Sequence, residues 1–367
     1  TSVPELLVAC VGALVYALRA VKETMVAARL RGPREIRLEE VEKPKPGPNE
    51  VLVQVAAVSL CRSDITFFNF TRKEFTDRDM GLILGHEASG RIAEVGQGVT
   101  ELAVGQPVAI DPTRHCGVCD MCRARRFNIC RNIRFLAYPP THGALQQYLL
   151  SPADLVLPLP DSLSLEEGAM VEPVSVAVQA VRQAGIRPGD NAVVQGLGAI
   201  GLSIVQVLVA LGSHDLVAIE PMPFRRQFAA SHGAPTVVEG ADQALELLRQ
   251  RRRQGAQFVF EAAGADAAVE EAVTLADLGG TVIILGILES DELRFTQSVA
   301  RGKELTLMFD RRSNDTMPEA LRLIERDKIG VRHYATHTFP FAQVEEAYRL
   351  SEERPPGLLR AVVRVDQ

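Results

Sequence analysis

A run of four cysteines constrains the fold of this chain more than any other feature of its sequence. The cysteines lie between residues 111 and 131 with the spacing Cys-x2-Cys-x2-Cys-x7-Cys, at Cys116, Cys119, Cys122 and Cys130. Thiols separated by two residues do not easily close disulfides with one another, but they can gather around a single ion. Four soft anionic ligands with no open coordination position are typical of a structural zinc rather than a catalytic one.

Two alternatives to zinc are a disulfide-bonded lobe and an iron–sulfur cluster. A lobe with two bridges requires an oxidising compartment, which the rest of the sequence does not favour. Iron–sulfur runs of this kind more often carry proline directly after the last cysteine, whereas Arg131 follows here. Arg123, Arg125 and Arg126 lie inside the run and offset the negative charge of a tetrathiolate zinc. We therefore predict structural zinc, a reducing compartment and a cytoplasmic protein.

Length and composition predict a soluble α/β protein with two domains. The chain has 367 residues, of which 47% are hydrophobic and 23% are charged, and this length exceeds what one core usually holds. Its formal net charge of −6 offers no general attraction to nucleic acid or to an anionic membrane. A local basic run ends the helical pattern at residues 241–253, where cations favour the helix dipole. We expect a small-molecule partner, and neither nucleic acid nor a membrane.

Residues 1–24 form an extension ahead of the predicted fold. It contains an apolar run of thirteen residues, Leu6–Leu18, which is shorter than the roughly 18–20 residues needed to span a bilayer. Only Glu5 precedes the run, which does not match the basic start of a secretory signal. A signal-like segment, a short docking helix and a chance extension all stay open. We hypothesise that residues 1–24, including the unassigned Cys10, are dispensable for folding and activity.

The chain changes in character after about residue 177. Residues 25–177 contain many short β-like runs separated by glycine and proline, which predicts a β-rich, partly barrel-like domain. From Pro188 onward, buried strands alternate with helices, which predicts a parallel sheet covered on both faces. Four of these predicted strands are Thr236–Val238, Phe258–Glu261, Thr281–Leu285 and Leu305–Met308. We place the second domain at residues 178–318 and expect residues 319–367 to return to the first.

The second domain carries a candidate dinucleotide loop. Its sequence GLGAIG, from Gly196 to Gly201, follows a strand, opens a helix and contains Gly198 and Ile200. In this setting Gly196 permits the turn, Gly198 lets a pyrophosphate approach the backbone, and Gly201 lets helix and strand pack closely. The alternative is a glycine turn in a domain that binds no nucleotide.

An acidic residue predicts which dinucleotide this loop binds. Glu220 lies nineteen residues after Gly201, at the end of the next strand. There it would accept hydrogen bonds from an adenosine ribose and repel a 2′-phosphate, so we predict NAD. Arg225 and Arg226 follow shortly after, and they leave NADP open.

Cys61, His86 and Glu87 predict a second metal site. Cys61 ends one apolar strand, and we interpret Met80–Leu84 as another strand that opens into a turn at His86 and Glu87. One thiolate, one imidazole and one carboxylate make an open zinc site, with a fourth position for water or substrate. The alternative is a buried cysteine and histidine that satisfy one another in the core.

From Met25 to its end the chain resembles the zinc-dependent medium-chain dehydrogenases, which include alcohol, sorbitol and threonine dehydrogenases. The matching residues are Cys61–Asp64, Gly85–Glu87, the cysteine run and the loop Gly196–Gly201, in the family's order. The resemblance implies a GroES-like catalytic domain, a Rossmann domain and two zinc ions per chain, one catalytic and one structural. It also implies NAD as hydride acceptor and a homodimer or homotetramer formed through the last strands of the nucleotide sheet.

Residues 135–148 and the segment that follows resemble the sorbitol and xylitol branch of this family. In that branch a glutamate at the position of Glu172 replaces the cysteine used by alcohol dehydrogenases. The resemblance leaves open whether Glu87 or Glu172 completes the catalytic zinc site; alternatively, Glu172 is an N-terminal charge on a helix. It implies oxidation of a secondary alcohol of a polyol to a ketone, with Ser63 in the proton path. Asp64 is placed to hydrogen-bond His86.

The sequence departs from the polyol pattern near the reacting centre. Arg62 replaces the usual glycine after the zinc cysteine, and Thr66 and Phe67 stand where polyol enzymes tend to carry His and Tyr. Residues 309–321 resemble instead the corresponding segment of sugar-acid dehydrogenases such as galactonate oxidoreductases.

These departures suggest an anionic substrate. Arg62, together with Arg311 or Arg312, would suit a substrate carboxylate through paired hydrogen bonds, and surface charge is the alternative. The rival activities are therefore a sugar-acid dehydrogenase and a threonine-type dehydrogenase. A relative that binds nucleotide without catalysis is disfavoured, because it has no chemical reason to keep an intact set of open-site ligands.

Overall fold

The structure is a computed structural model that describes residues 23–70, 80–213, 215–288 and 290–366. The apolar run at Leu6–Leu18 and Cys10 lie outside the described residues, so the hypothesis that the extension is dispensable stays a prediction. Within the described ranges, no helix is long and apolar enough to cross a membrane.

Short strands dominate the first part of the chain. The elements in order are β1 Thr24–Gly32, β2 Glu35–Glu42, β3 Glu50–Ser59, α1 Arg62–Phe68, β4 Glu87–Val95, β5 Pro107–Ile110, β6 Thr113–Arg114, α2 Asp120–Arg123, β7 Arg134–Phe135, β8 Tyr148–Pro152 and β9 Val156–Pro158. Strand β3 is buried along nearly its whole length, because it pairs with β4 on one edge and with β8 and a later strand on the other.

Helices and strands alternate in the rest of the chain. The elements are α3 Leu165–Ala169, α4 Val171–Ala184, β10 Ala192–Gln195, α5 Ala199–Ala210, β11 Leu216–Ile219, α6 Pro223–Ser231, β12 Val237–Val238, α7 Ala241–Gln250, β13 Ala256–Glu261, α8 Asp266–Leu275, β14 Ala276–Ile284, α9 Gln297–Gly302, β15 Thr306–Phe309, α10 Met317–Glu325, β16 Ala335–Pro340, α11 Val344–Glu353 and β17 Arg360–Arg364. The four strands predicted between residues 236 and 308 overlap β12 to β15.

Strands β10 to β15 form one parallel sheet with the order β12-β11-β10-β13-β14-β15. Alternate side chains of its strands face opposite layers. Val193 and Val259 pack with α7 and α8, whereas Val194 and Phe260 pack with α4 and α5. The predicted parallel sheet with helices on both faces is confirmed. The strand order reverses at β10 and β13, and ligands of such sheets bind in the crevice at that point.

The end of the chain joins the sheet of the first part. Strand β17 pairs antiparallel with β3, with Val363 opposite Val58, and β16 runs parallel to β17. Val363 and Tyr348 of α11 are completely buried in the same core as β3. The last strand therefore lies beside the residues that follow β3, including Cys61.

One local prediction was wrong, and one helix was not predicted. Residues 80–84 contain only an isolated bridge at Ile83, because Gly81 and Gly85 on either side have φ values of +88° and +87°. The short helix α1 was missed. The helix that carries Glu172 near its N-terminus is α4, which is separate from α3, and Pro173 in its first turn has no N–H with which to bond back to α3.

Candidate active site

The pairing of β3 with β4 brings the first metal-ligand set together. Cys61 follows β3 and precedes α1, while Glu87 opens β4 directly opposite Ser59. This register places the ends of the two strands side by side. As a result, the ligand atoms of Cys61, His86 and Glu87 all lie within 4.8 Å of one another.

Helix α1 supplies the groups that orient this set. Asp64 Oδ1 lies 3.2 Å from His86 Nδ1, and the Ser63 hydroxyl donates to Cys61 Sγ at 3.3 Å. Burial opposes a charged imidazole, but the negative charges of Asp64 and Cys61 hold the pKa of His86 well above its ordinary value. Because Nδ1 engages Asp64, Nε2 is the nitrogen left for a metal, an arrangement common to metal-binding histidines.

The surroundings of the Glu87 carboxylate indicate whether a cation fits among these three ligands. The side chain is fully buried, and Oε1 forms an ion pair with Arg360 Nη2 at 3.1 Å. Among the described residues, however, neither oxygen finds a hydrogen-bond partner of good geometry. A buried carboxylate without hydrogen bonds is costly, and a bound cation removes that cost. The donor set of sulfur, nitrogen and oxygen fits a zinc ion with an open position.

Glu172 lies next to this set but not within it. It occupies the first turn of α4 and is 4% exposed. The pKa of Glu172 is raised to about 8, chiefly by burial. The positive charge of His86 opposes this rise, and the carboxylates of Glu87 and Asp111 add to it. In the part of the chain that the structure describes, the three-residue ligand group includes Glu87 and omits Glu172. The geometry favours Glu87 as the third ligand.

The cysteine run closes on itself. The sulfur–sulfur distances are 3.5 Å between Cys130 and Cys116, 3.8 Å between Cys119 and Cys130, and 4.0 Å between Cys116 and Cys122. A tetrahedral zinc with bonds of about 2.3 Å requires separations of about 3.8 Å, whereas a disulfide requires about 2 Å. The five cysteines that the structure describes are all free, so the disulfide alternative is wrong.

Backbone N–H groups lower the pKa of the Cys116 and Cys119 thiols, whereas burial raises the pKa of the Cys122 thiol to about 12. The Cys116 N–H donates to Cys130 Sγ at 3.3 Å, and the Asn132 N–H donates to the same sulfur at 3.4 Å. The N–H groups of Val118 and Cys119 lower the pKa of the Cys116 thiol to about 6. A thiolate is the form that binds zinc, so the observed geometry fits the structural zinc predicted from the spacing.

Steric constraints explain two glycines of the GLGAIG loop. Gly196 has a φ of +80°, and a Cβ there would lie 2.6 Å from the Cα of Ala263. A Cβ on Gly201 would lie 1.8 Å from the carbonyl oxygen of Gly196. At Gly198, by contrast, the nearest atom of the described residues would be Nη1 of Arg225, at 4.0 Å. The second glycine therefore faces open space beside a guanidinium.

Charged groups around the loop fit a dinucleotide. Glu220 is buried and accepts the N–H groups of Leu197 at 2.8 Å and Met222 at 3.0 Å. Each carboxylate oxygen accepts more than one hydrogen bond, so this arrangement also leaves capacity for a ribose. Nε of Arg225 is buried without a hydrogen-bond partner among the described residues, which suits an incoming pyrophosphate. Ile200 is half-buried in the first turn of α5.

An aromatic wall lies beside His86. The Phe135 ring is 5.1 Å from the His86 ring, and the Phe67 ring is 5.9 Å from the Tyr138 ring. The guanidinium carbon of Arg312 lies 4.2 Å from the Phe135 centroid and 5.7 Å from that of Tyr138. The structure thus brings the predicted residues Phe67 and Arg312 to the same wall.

The other two predicted substrate residues occupy different positions. Arg62 is half-buried at the start of α1. Arg311 is exposed, and its carbonyl accepts a hydrogen bond from the Asn128 amide at 2.9 Å. Arg312 packs on the aromatic wall, whereas the neighbouring Arg311 is exposed.

Sequence reasoning missed Arg360 and assigned no role to Phe135 or Tyr138. A signal for Arg360 was present, since this charged residue begins the apolar stretch RAVV of β17. Charges in apolar strands are rare unless they are paired. The two aromatic residues carried no such signal, because aromatic side chains commonly fill cores.

Comparisons with known proteins agree with this architecture. The family model described as the alcohol dehydrogenase GroES-like domain matches residues 47–161, and the model described as zinc-binding dehydrogenase matches residues 199–326. The first match contains both candidate metal sites, and the second begins inside the glycine loop.

Curated relatives cover most of this chain. Sorbitol dehydrogenase of Bacillus subtilis is 32% identical over 329 residues, 89% of this chain and 93% of that protein. L-idonate 5-dehydrogenase of Vitis vinifera is 32% identical over 90% of this chain and 92% of its own length. D-xylulose reductase of Saccharomyces cerevisiae is 31% identical over 93% and 98%, respectively.

Two solved structures share the fold over nearly their whole length. A zinc-binding dehydrogenase from Sinorhizobium meliloti 1021 bound to NADP has a TM-score of 0.83 at 26% identity, covering 94% of this chain and 100% of its own. Galactitol-1-phosphate dehydrogenase from Escherichia coli has a TM-score of 0.82 at 26% identity, with the same coverage. Together with the matched family models and the curated relatives, these likenesses establish that the chain belongs to the zinc-dependent medium-chain dehydrogenase family.

Proposed function

We propose that this protein oxidises a secondary alcohol of a polyol to a ketone and transfers the hydride to NAD. The observation that carries the proposal is the convergence of Cys61, His86 and Glu87 within 4.8 Å, beside a buried Arg360 that pairs with Glu87. A protein that only bound nucleotide would have no use for an open ligand set. The curated sorbitol dehydrogenase and D-xylulose reductase support the substrate class.

Zinc and NAD, when bound, supply Lewis-acid chemistry that acidifies a hydroxyl and a nicotinamide that accepts hydride. The protein orients the ligands and moves the proton. Asp64 holds the His86 ring at 3.2 Å, and Arg360 holds Glu87 at 3.1 Å. The Ser63 hydroxyl, 3.3 Å from Cys61 Sγ, would accept a hydrogen bond from the substrate hydroxyl and relay its proton to water, giving up its own hydrogen as it does so. Glu172, whose pKa burial raises to about 8, can hold a proton near neutral pH.

We assign NAD rather than NADP to the glycine loop. Glu220 is buried at the end of β11, and its charge opposes a 2′-phosphate. Arg226 donates to the carbonyl oxygen of Glu220 at 2.9 Å and to the Glu239 carboxylate at 3.2 Å, so it is already engaged. A comparison of kcat/KM for the two cofactors tests this assignment, and a preference for NADP would contradict it.

The activity is tested by following NAD reduction with sorbitol, xylitol and galactonate. Turnover of at least one of these by the zinc-loaded protein is expected. Cys61→Ala should abolish it while thermal unfolding remains cooperative, because the residue lies at the open end of β3 rather than in the core. Full activity in this variant, or no turnover of any alcohol by the native protein, would overturn the proposal.

We also propose that the protein is a cytoplasmic homodimer or homotetramer. Strand β15 is the edge of the parallel sheet, and its Phe309 is 60% exposed. An exposed aromatic residue on an open edge favours pairing with a second copy. Sedimentation of the native protein and of Phe309→Glu tests this, and a monomeric native protein would contradict it. The free thiols of the cysteine run favour a reducing compartment.

A further inference from the structure

We propose that Arg312 binds a negatively charged group of the substrate, a carboxylate or a phosphate, at the aromatic wall beside the open metal site. The inference rests on the proposed function and narrows it. The substrate class becomes polyol derivatives that carry an oxyanion at one end. Arg312 then acts as the residue that determines specificity.

The first support is the position of the guanidinium relative to the metal ligands. Its central carbon lies 4.2 Å from the Phe135 ring centroid, and that ring lies 5.1 Å from the imidazole of His86. One aromatic ring therefore separates the cation from a metal-binding group. A substrate whose reacting hydroxyl lies at the metal needs only a few more carbon atoms to reach Arg312.

The second support is the apolar surface on which the guanidinium lies. Phe135 and Phe67 are both buried, and Tyr138 packs edge-on against Phe67 at 5.9 Å. A guanidinium stacked on aromatic rings keeps its donors in one plane, which matches the two oxygens of a carboxylate or phosphate. Ion contacts beside apolar walls are also stronger than in open water.

The third support is the anchoring of the loop that carries Arg312. On one side, the Arg311 carbonyl accepts the Asn128 amide at 2.9 Å. On the other, Asn314 Oδ1 accepts the Phe127 N–H at 2.8 Å, and Asn314 Nδ2 donates to the Arg125 carbonyl at 2.9 Å. The donors and acceptors opposite the loop all belong to the cysteine run.

This anchoring holds Arg312 in an unusual backbone conformation. Its φ is +62°, a region that costs a residue with a Cβ about 1 kcal/mol or more. Hydrogen bonds on both flanks keep the residue there, so its side chain is positioned before any substrate arrives. Such preorganisation lowers the cost of binding.

The decisive experiment compares native protein with Arg312→Leu on three probes. These are sorbitol, galactonate and galactitol 1-phosphate, which are neutral, carboxylated and phosphorylated, respectively. The native protein should turn over at least one anionic probe with a higher kcat/KM than sorbitol. Arg312→Leu should raise KM for that probe about 10- to 100-fold, the effect of losing a charge-assisted hydrogen bond. The loss for sorbitol should be several-fold smaller than the loss for the anionic probe, because sorbitol has no charged group to pair with Arg312.

Two further variants test the shape of the cation at residue 312 and the importance of its position. Arg312→Lys keeps the charge but loses the planar fork, so it should recover only part of the affinity. Arg134→Leu removes an exposed positive charge one residue before Phe135, and successive residues of a strand point to opposite faces. This matched control should leave both classes of substrate unaffected.

Binding without turnover provides a second measurement. Galactonate or galactitol 1-phosphate should raise the melting temperature of the zinc- and NADH-loaded native protein, and should not raise that of Arg312→Leu. A preference for sorbitol in the native protein, or equal losses for neutral and anionic probes in the variant, would refute the proposal and leave the polyol activity standing. If none of the probes is oxidised, the proposed function fails, and the change in melting temperature alone decides the role of Arg312.

Discussion

The cysteine run and the Cys61 site differ in how the chain assembles them. The run takes all four ligands from Cys116 to Cys130, and its sulfurs lie 3.5 to 4.0 Å apart in the pairs in contact. The Cys61 site draws on the ends of β3 and β4, on α1 and on Arg360 in the last strand. One site is a local loop closed around an ion. The other exists only when β3 has paired with β4 and with β17, the last strand of the chain.

This difference predicts opposite consequences for damage at each site. Loss of a ligand from the local run should unfold that part of the chain, because few of its residues are buried and a bound ion would be its main cross-link. Loss of a ligand from the assembled site should remove activity and leave the fold in place, since β3 and β4 are held by their own pairing and core. Variants at each site, and at the contact between the two regions, test this contrast.

Replacing Cys119 with alanine should have the largest effect. Structural zinc sites contribute on the order of 10 kcal/mol to folding, and three sulfurs cannot close a tetrahedron. We expect loss of the cooperative transition, or a melting temperature lower by tens of degrees, in differential scanning calorimetry. His86→Ala serves as the control, with zinc content measured for both proteins. A Cys119→Ala protein that melts normally would show that the run does not depend on its ion.

Replacing Arg360 should have the second-largest effect on stability. Arg360→Leu leaves Glu87 buried beside Cys61 without its cation, and breaking a buried pair costs about 3–5 kcal/mol. If Glu87 is a zinc ligand, the loss of unfolding free energy should be large in metal-free protein. It should be smaller in zinc-loaded protein, because the ion replaces the missing positive charge. Urea unfolding with and without zinc measures both values.

The double variant Arg360→Leu with Glu87→Gln is the control for this prediction. It removes both charges, so it should be more stable without metal than Arg360→Leu alone. Equal destabilisation of Arg360→Leu in the presence and absence of zinc would indicate that Glu87 does not bind the ion. Glu172 would then be the better candidate for the third ligand.

Asp310 should make stability depend on pH. Both carboxylate oxygens are buried, and within the described ranges neither accepts a hydrogen bond of good geometry. Burial raises the pKa of Asp310 to about 7, against the lowering effect of the adjacent Arg311 N–H. A raised pKa means that folding favours the protonated form. This stabilisation is complete below the ordinary pKa, about 4, and is lost as pH rises through about 7.

Asp310→Asn removes this titration and is the matched variant. Native protein should lose up to about 4 kcal/mol relative to Asp310→Asn between pH 4 and pH 8, because each factor of ten between the folded and unfolded ionisation constants is worth about 1.4 kcal/mol. Urea unfolding at several pH values measures the difference. Parallel curves for the two proteins would show that Asp310 titrates normally and is solvated.

The contact between the cysteine run and the loop that carries Arg312, beside the Cys61 site, should give the smallest effect. Asn314→Ala removes the hydrogen bonds between the Arg312 loop and residues 125–127. A loss of about 1 kcal/mol of binding free energy should raise KM for an anionic substrate about fivefold, with kcat for sorbitol unchanged. Arg322→Ala, on α10, is a control outside this contact. An unchanged KM would mean that the cysteine run does not position the loop.

Features that depend on neighbouring residues were predictable from the sequence. The spacing of the cysteine run identified its ligands, and the glycines from Gly196 to Gly201 identified the turn whose steric limits the structure confirms. The alternation of buried strands with helices was also sufficient to predict the parallel sheet. The cysteine spacing is a purely local cause, whereas the limit at Gly196 is set by the distant Ala263, which the glycine pattern signals without naming.

Features that depend on distant parts of the chain were missed. Arg360 reaches Glu87 only because β17 pairs with β3, and no local pattern encodes that pairing. The sequence could not show which of Arg311 and Arg312 would face the site, since they are neighbouring arginines that follow the same strand. The left-handed conformation of Arg312 and the hydrogen bonds of Asn128 and Asn314 separate them.

The kinds of chemistry available to this protein could be identified from its sequence alone. Thiolates at fixed spacing, a glycine loop before a helix, and a cysteine, histidine and glutamate near strand ends indicate the metals and the cofactor class. Tertiary packing then decides which of these groups lie close together. It favours Glu87 over Glu172 beside Cys61, and it places Arg312 rather than Arg311 on the aromatic wall. The two levels differ because side-chain type is given at each position of the chain, whereas distances between strands are fixed only when the whole core has packed.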